Sequence, residues 1–124
     1  MTTNPADLWR TRLRTALVAA RKDRDAARIS ALRSALSAID NAETPDGARF
    51  DAPSSEEIAG GVVGLGAAEV ARRQLSDTQI RELVRAEIDE RLSAAGEFSA
   101  SGHEERATML QTEAAALTDL LGDV

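Results

Sequence analysis

The sequence predicts an all-α protein, an antiparallel helical bundle of two helix pairs joined by a connector that contains glycine and proline. Composition is the first observation: the 124 residues include 24 alanines but only one Trp, two Phe and no Tyr. Alanine is the strongest helix former, whereas strands favour the β-branched and aromatic residues that are scarce here. The second observation is an apolar repeat of 3 and 4 residues in four segments. Together they exclude an all-β fold.

The first helix is predicted over about residues 5–22. Asn4 suits the N-cap, Pro5 the first helical position, and Asp7 the positive end of the helix dipole. We expect one apolar face with Trp9 at its edge, formed by Leu8, Leu13, Ala16, Leu17 and Ala20. The basic side chains Arg10, Arg14 and Arg21 fall on another face.

The second helix is predicted over about residues 24–42, with Asp23 as its cap. Its apolar seam consists of Ile29, Leu32, Leu36 and Ile39. The short polar junction before it predicts that the two helices pack antiparallel.

Residues 43–75 are predicted to form the connector between the two helix pairs. Pro45-Asp46-Gly47 is a turn signal, and Ser54 with Glu57 has capping-box spacing that predicts a short helical piece. Glycines at 60, 61, 64 and 66 weaken that piece before a second one near residues 67–74.

A long third helix is predicted over about residues 77–98, because Ser76 and Gln79 form a capping box. Its expected buried stripe consists of Ile80, Leu83, Val84, Ile88, Leu92 and Ala95. Asp77 with Arg81 and Glu87 with Arg91 are i,i+4 ion pairs that support the helix.

The fourth helix is predicted over about residues 103–121, after a break at residues 99–102, with Gly122 at its C′ position. Its seam consists of Ala107, Leu110, Ala114, Leu117 and Leu121. The whole chain, residues 1–124, is therefore expected to form a single helical domain.

Several kinds of chemistry lack the residues they need. Without cysteine there is no thiolate metal ligand or cysteine nucleophile. His103 has no second histidine beside it, and the carboxylates near residues 82–90 alternate with arginines as on a solvated helix face. The glycines of residues 60–66 lack the spacing of a phosphate-binding loop. We expect no catalytic residue, no metal and no cofactor, and, without a leader or a membrane span, a soluble cytoplasmic protein.

Charge is divided unevenly between the two parts of the chain. Residues 1–42 carry eight basic and four acidic groups, whereas residues 43–124 carry seven basic and seventeen acidic groups. The basic residues concentrate around the junction of the first two helices, where several guanidinium groups would meet phosphates together. The candidate RNA-binding residues are Arg10, Arg14, Arg21, Lys22, Arg24, Arg28 and Arg33. The alternative is that these side chains pair with the acidic second part, within the domain or across a homodimer.

Two blocks of the sequence resemble the YqeY family. The segment Arg24-Asp25-Ala26-Ala27-Arg28-Ile29-Ser30-Ala31-Leu32-Arg33, continued by Asn41-Ala42-Glu43, is similar to that family's R-D-x-x-R-x-S-x-L-R and N-A-E motifs. Leu75-Ser76-Asp77, Glu87-Ile88, Arg91, Glu97-Phe98 and Gly102 follow in the order of its next two helices. Residues 44–74 are longer and richer in glycine than the family's usual connector. The family's small C-terminal helical domain has no counterpart in this sequence.

The resemblance implies a relation to the tail of the GatB subunit of tRNA-dependent amidotransferase. That enzyme is a carbon–nitrogen ligase with glutamine as amido donor, and its tail contacts tRNA while other domains perform the chemistry. The implied function is an accessory protein whose partners are tRNA or another RNA, and an amidotransferase or an aminoacyl-tRNA synthetase. The alternative is a non-catalytic protein-interaction or self-association module.

Overall fold

The computed structural model describes residues 4–44 and 73–122, and all the secondary structure in those ranges is helical. The elements are α1 (Pro5–Lys22), α2 (Ala26–Glu43), α3 (Asp77–Ala100) and α4 (Glu104–Gly122). They pack as two pairs, α1 with α2 and α3 with α4, and α2 also lies against α3 and α4. The predicted all-α fold is confirmed, while the predictions for the connector between residues 45 and 72 lie outside the described residues.

Both helix pairs turn through the same hydrogen-bonding pattern. At the end of α1, Asp25 N–H donates to the Ala20 carbonyl at 2.9 Å and Arg24 N–H to the Arg21 carbonyl at 3.1 Å. At the end of α3, His103 N–H donates to the Phe98 carbonyl at 2.8 Å and Gly102 N–H to the Ser99 carbonyl at 3.1 Å. These are Schellman motifs, which place the C′ residue in the left-handed region.

Because of these turns, two observed helix boundaries differ from the predicted ones. Because Arg24 has φ 54°, α2 begins at Ala26 rather than at residue 24, and its N-cap is Asp25 rather than Asp23. The left-handed residue after α3 is Gly102, so that helix continues to Ala100, two residues further than predicted. The predicted caps Asn4 and Ser76 are confirmed, the latter with a complete capping box.

The buried face of α1 differs from the predicted one. Trp9 is 2% exposed and belongs to the core, whereas Leu8 is 54% exposed and faces away from it. The core side of α1 consists of Ala6, Trp9, Leu13, Leu17 and Ala20. The predicted face is therefore wrong in Leu8, and Trp9 is not an edge residue.

The other helices contribute small side chains and a few large ones. Leu32 and Ile39 on α2, Ile80 and Val84 on α3 and Leu117 on α4 are almost fully buried. Buried alanines on the same helices add small side chains to the interior: Ala31, Ala35, Ala95, Ala107 and Ala114. Leu92 is 49% exposed, so its predicted place in the stripe of α3 is wrong.

Candidate nucleic-acid interface

The α1–α2 turn holds the densest group of basic residues in the sequence. Residues 21–28 contain four basic and two acidic side chains. Arg21 and Lys22 occupy the last turn of α1, where cations favour the negative end of the helix dipole. Arg24 follows in the left-handed position, and Arg28 lies in the first turn of α2. We call Arg21, Lys22, Arg24 and Arg28 the basic tip.

Three side chains of the basic tip are open to solvent. Arg21, Lys22 and Arg24 are exposed, and within residues 4–44 and 73–122 no carboxylate oxygen lies within 4.0 Å of their charged nitrogens. Unpaired surface guanidinium and ammonium groups are the chemical form in which proteins meet phosphate oxygens. These three side chains are therefore available to an anionic partner.

Arg28 is partly neutralised within the turn itself. Its Nη1 lies 3.2 Å from Asp23 Oδ2 and 3.9 Å from Asp25 Oδ2, and its side chain is only 32% exposed. Asp25 also accepts a hydrogen bond from the Arg28 backbone N–H at 3.1 Å, as the N-cap of α2. Arg28 thus helps to fix the turn and offers less charge to a ligand than its neighbours do.

Arg10, another candidate, lies in an intramolecular ion-pair network. Its Nη2 is 2.8 Å from Asp40 Oδ1 and also contacts Glu43 Oε1, while Nη1 lies 3.4 Å from Asp7 Oδ1. The hydrogen bond to Glu43 is the largest cause of the raised pKa of Arg10, since it favours the charged guanidinium. Only 14% of the Arg10 side chain is exposed, so its charge serves the α1–α2 contact.

The two remaining candidates lie away from the basic tip. Arg14 is exposed and lines a polar crevice that also contains Asp7, Asp40 and Glu43. Arg33 is exposed on the outer side of α2, in a shallow groove with Ser30, Ser34, Ser37 and Asn41. Glu87 also lines this groove, but its carboxylate is 2.8 Å from Arg91. Arg33 therefore extends the basic surface along α2, whereas Arg14 stands among carboxylates.

An arginine cage around Trp9 was not predicted from the sequence. The Arg12 and Arg81 guanidinium carbons lie 4.5 and 5.3 Å from the Trp9 ring centroid, and Arg12 Nη2 donates to the Leu120 carbonyl at 2.7 Å. The cage closes one end of the bundle and removes Arg12 from the basic surface. The sequence indicates this cage only through the spacing of Arg12 three residues after Trp9. That spacing does not predict the contacts with Arg81 on α3 and Leu120 on α4.

Residues 4–44 and 73–122 hold no group of three or more His, Asp or Glu side chains placed to bind a metal. His103 is exposed, with Nδ1 3.1 Å from Ser101 Oγ. In the same ranges, none of the helices has the length and apolar character needed to span a bilayer.

Comparisons of the chain with protein-family models, curated proteins and solved structures found no match. The resemblance to the YqeY family therefore rests on the sequence blocks around Arg24–Arg33 and Leu75–Gly102 and stays a prediction.

Proposed function

We propose that this chain is a YqeY-like accessory protein that binds RNA, with tRNA as the first candidate, through the basic tip and Arg33. The observation that supports the proposal most is the group of exposed, unpaired cations Arg21, Lys22 and Arg24 at the turn between α1 and α2. Two backbone hydrogen bonds close this turn, so the backbone from which these side chains extend is already ordered before binding.

The charge of the rest of the chain supports a localised contact. The net charge is -6, so most of the surface repels a polyanion and the basic tip is the favourable point of approach. The basic tip contains no aromatic side chain on which a base could stack. Binding is therefore expected to depend on phosphate contacts and RNA shape rather than on base sequence.

The proposed role is accessory because the family resemblance implies a tail that contacts tRNA while other domains perform the chemistry. If the chain acts with a tRNA-dependent amidotransferase or an aminoacyl-tRNA synthetase, the partner supplies the reaction and this chain supplies a tRNA contact. That assignment follows from the family resemblance. It would be rejected if the chain did not bind tRNA.

The test is a titration of labelled total tRNA with the protein at about 50 and 200 mM salt, followed by fluorescence anisotropy. With three or four phosphate contacts, affinity should fall by roughly 50-fold over that range. A double variant, Arg24→Gln with Arg33→Gln, should bind at least about tenfold more weakly.

The matched control removes the same charge elsewhere on the surface. Arg85 and Arg106 are both exposed, and they lie on α3 and α4, away from the α1–α2 turn. Arg85→Gln with Arg106→Gln should leave tRNA affinity within about twofold of the unchanged protein. Equal losses in both double variants, or no binding at the lower salt concentration, would reject the proposed interface.

A further inference from the structure

The side of α1 that faces away from the core is nearly free of charge. Leu8 is 54% exposed and Val18 is 51% exposed, and the exposed Thr11 and Thr15 lie between them on the same face. The spacing of 3, 4 and 3 residues places the four side chains in one row along the helix. We call this row the outer α1 face.

Helix α1 thus carries two apolar sides. A surface helix normally directs one apolar stripe to the core and places charged residues opposite it. Opposite the core, the residues of α1 from Leu8 to Val18 are uncharged and Lys22 follows one turn later, while Arg10, Arg14 and Arg21 lie along one flank. The outer α1 face is therefore suited to packing against another helix.

The row is symmetric about its own centre. Leu8 and Val18 stand five residues on either side of Leu13, and Thr11 and Thr15 stand two residues on either side of it. If two copies of α1 pack antiparallel and are aligned at the level of Leu13, Leu8 of each copy lies against Val18 of the other. Thr11 of each copy then lies against Thr15 of the other. A two-fold dimer requires this self-complementarity, whereas an unrelated partner does not.

The charges at the ends of α1 fit the same arrangement. Asp7 lies in the first turn with 59% of its side chain exposed, and Arg21 and Lys22 lie in the last turn. An antiparallel pair centred at Leu13 brings the first turn of one copy alongside the last turn of the other. The acidic start of each helix then adjoins the basic end of its partner, and the helix dipoles oppose one another.

We propose that the outer α1 face is the interface of a weak homodimer in which two copies of α1 pack antiparallel. One helix pair buries less than the roughly 1,200 Å² of a stable complex, so the dimer should dissociate at low protein concentration. The interface adjoins the proposed RNA contact at Arg21 and Lys22, but Leu8 and Val18 carry no charge, and Arg24 and Arg33 are not part of the interface.

Sedimentation equilibrium tests the association directly. The full chain should be monomeric near about 10 µM and largely dimeric near about 1 mM. Leu8→Glu and Val18→Glu should each raise the dissociation constant at least about tenfold, since each places a carboxylate twice in the interface. Met109→Glu is the matched control, because Met109 is 45% exposed on α4 and should leave the dimer unchanged.

The helix register has its own test, since the chain contains no cysteine. In an equimolar mixture, Thr11→Cys and Thr15→Cys should form the mixed disulfide in clear excess over the roughly twofold preference that random pairing gives it over either like pair. Parallel helices would instead favour the like pairs. Circular dichroism should show that each variant retains its helix content.

Three results would overturn the proposal: a monomer at about 1 mM, an equal loss of dimer in Met109→Glu, or an excess of like disulfide pairs. Because the titration with tRNA uses variants outside the outer α1 face, failure of the dimer leaves the RNA proposal standing, and the converse also holds.

Discussion

The Trp9 indole Nε1 donates a hydrogen bond to Asp77 Oδ1 at 2.8 Å and so joins α1 to the first turn of α3, 68 residues further along the chain. Asp77 Oδ2 accepts a second bond from Arg81 Nε at 2.6 Å. A buried Trp usually needs a partner for its N–H group, and here that partner is a carboxylate already held by a guanidinium. The contact positions one helix pair on the other.

Replacing Trp9 with Phe should lower the free energy of unfolding by about 2 kcal/mol, since the substitution removes the hydrogen bond and part of a buried ring. Urea unfolding followed by circular dichroism measures the change. Leu8→Ala is the neighbouring control at an exposed position and should alter stability by less than about 0.5 kcal/mol. A Trp9→Phe protein as stable as the Leu8→Ala protein would contradict this account of the contact.

Stability should also depend on the ionisation of Asp77. The indole N–H bond from Trp9, and then the Arg81 guanidinium, hold the pKa of Asp77 below its ordinary value of 3.8. The unfolded chain therefore binds this proton more readily than the folded one. The contribution of Asp77 is present above the ordinary pKa and is lost as pH falls through the lowered pKa.

The measurement is the difference in urea midpoint between the unchanged protein and Asp77→Asn. It should be largest well above the ordinary pKa of Asp77 and shrink as pH falls through the lowered pKa, because the other carboxylates titrate alike in both proteins. Emission from Trp9, the single tryptophan, should report the same protonation in the folded state. A difference that stays constant with pH would show that the Asp77 charge does not contribute.

A nearly buried ion pair joins α3 to α4. Arg91 Nε lies 2.8 Å from Glu113 Oε1, and Arg91 and Glu113 are 9% and 8% exposed. Arg91→Met leaves Glu113 without its partner in a poorly solvated position and should cost about 3 kcal/mol. The double variant Arg91→Met with Glu113→Leu should recover most of that loss, because neither charge is then buried. Thermal unfolding of both proteins, with the exposed Arg85→Met as control, decides whether the two effects are coupled.

Local patterns were sufficient for most of the fold. The apolar repeats and the capping residues Asn4 and Ser76 placed the starts of α1 and α3, since these interactions span only three or four residues. The two i,i+4 pairs predicted on α3, Asp77 with Arg81 and Glu87 with Arg91, are confirmed. The orientation of α1 was misjudged because it has two apolar sides, and the choice between Leu8 and Trp9 depends on Asp77 and Arg81 in a distant part of the chain.

The candidate site could be predicted only in part from the sequence. Helical spacing grouped Arg10 with Arg14 and Arg21, but the carboxylates that pair with Arg10 lie about 30 residues away on α2, at Asp40 and Glu43. No periodicity reveals such a pairing before the register of the two helices is known. The pairing of Arg28 with Asp25, by contrast, lies at i,i+3 spacing and is visible in the sequence.

The two helix turns share one geometry, but their left-handed positions hold different residue types. The C′ position is Gly102 in one turn, with φ 85°, and Arg24 in the other, with φ 54°. A non-glycine residue in this region is strained by about 1 kcal/mol, so Arg24→Gly should raise the free energy of unfolding by about that amount. Gly102→Ala should lower the free energy of unfolding by a similar amount, because an added Cβ meets no atom within 4 Å and only the backbone strain remains.

If the Arg24 side chain contacts RNA, the Arg24→Gly protein should be more stable to urea and yet bind tRNA more weakly. A stabilised variant with unchanged tRNA affinity would show that the strained arginine does not contribute to binding.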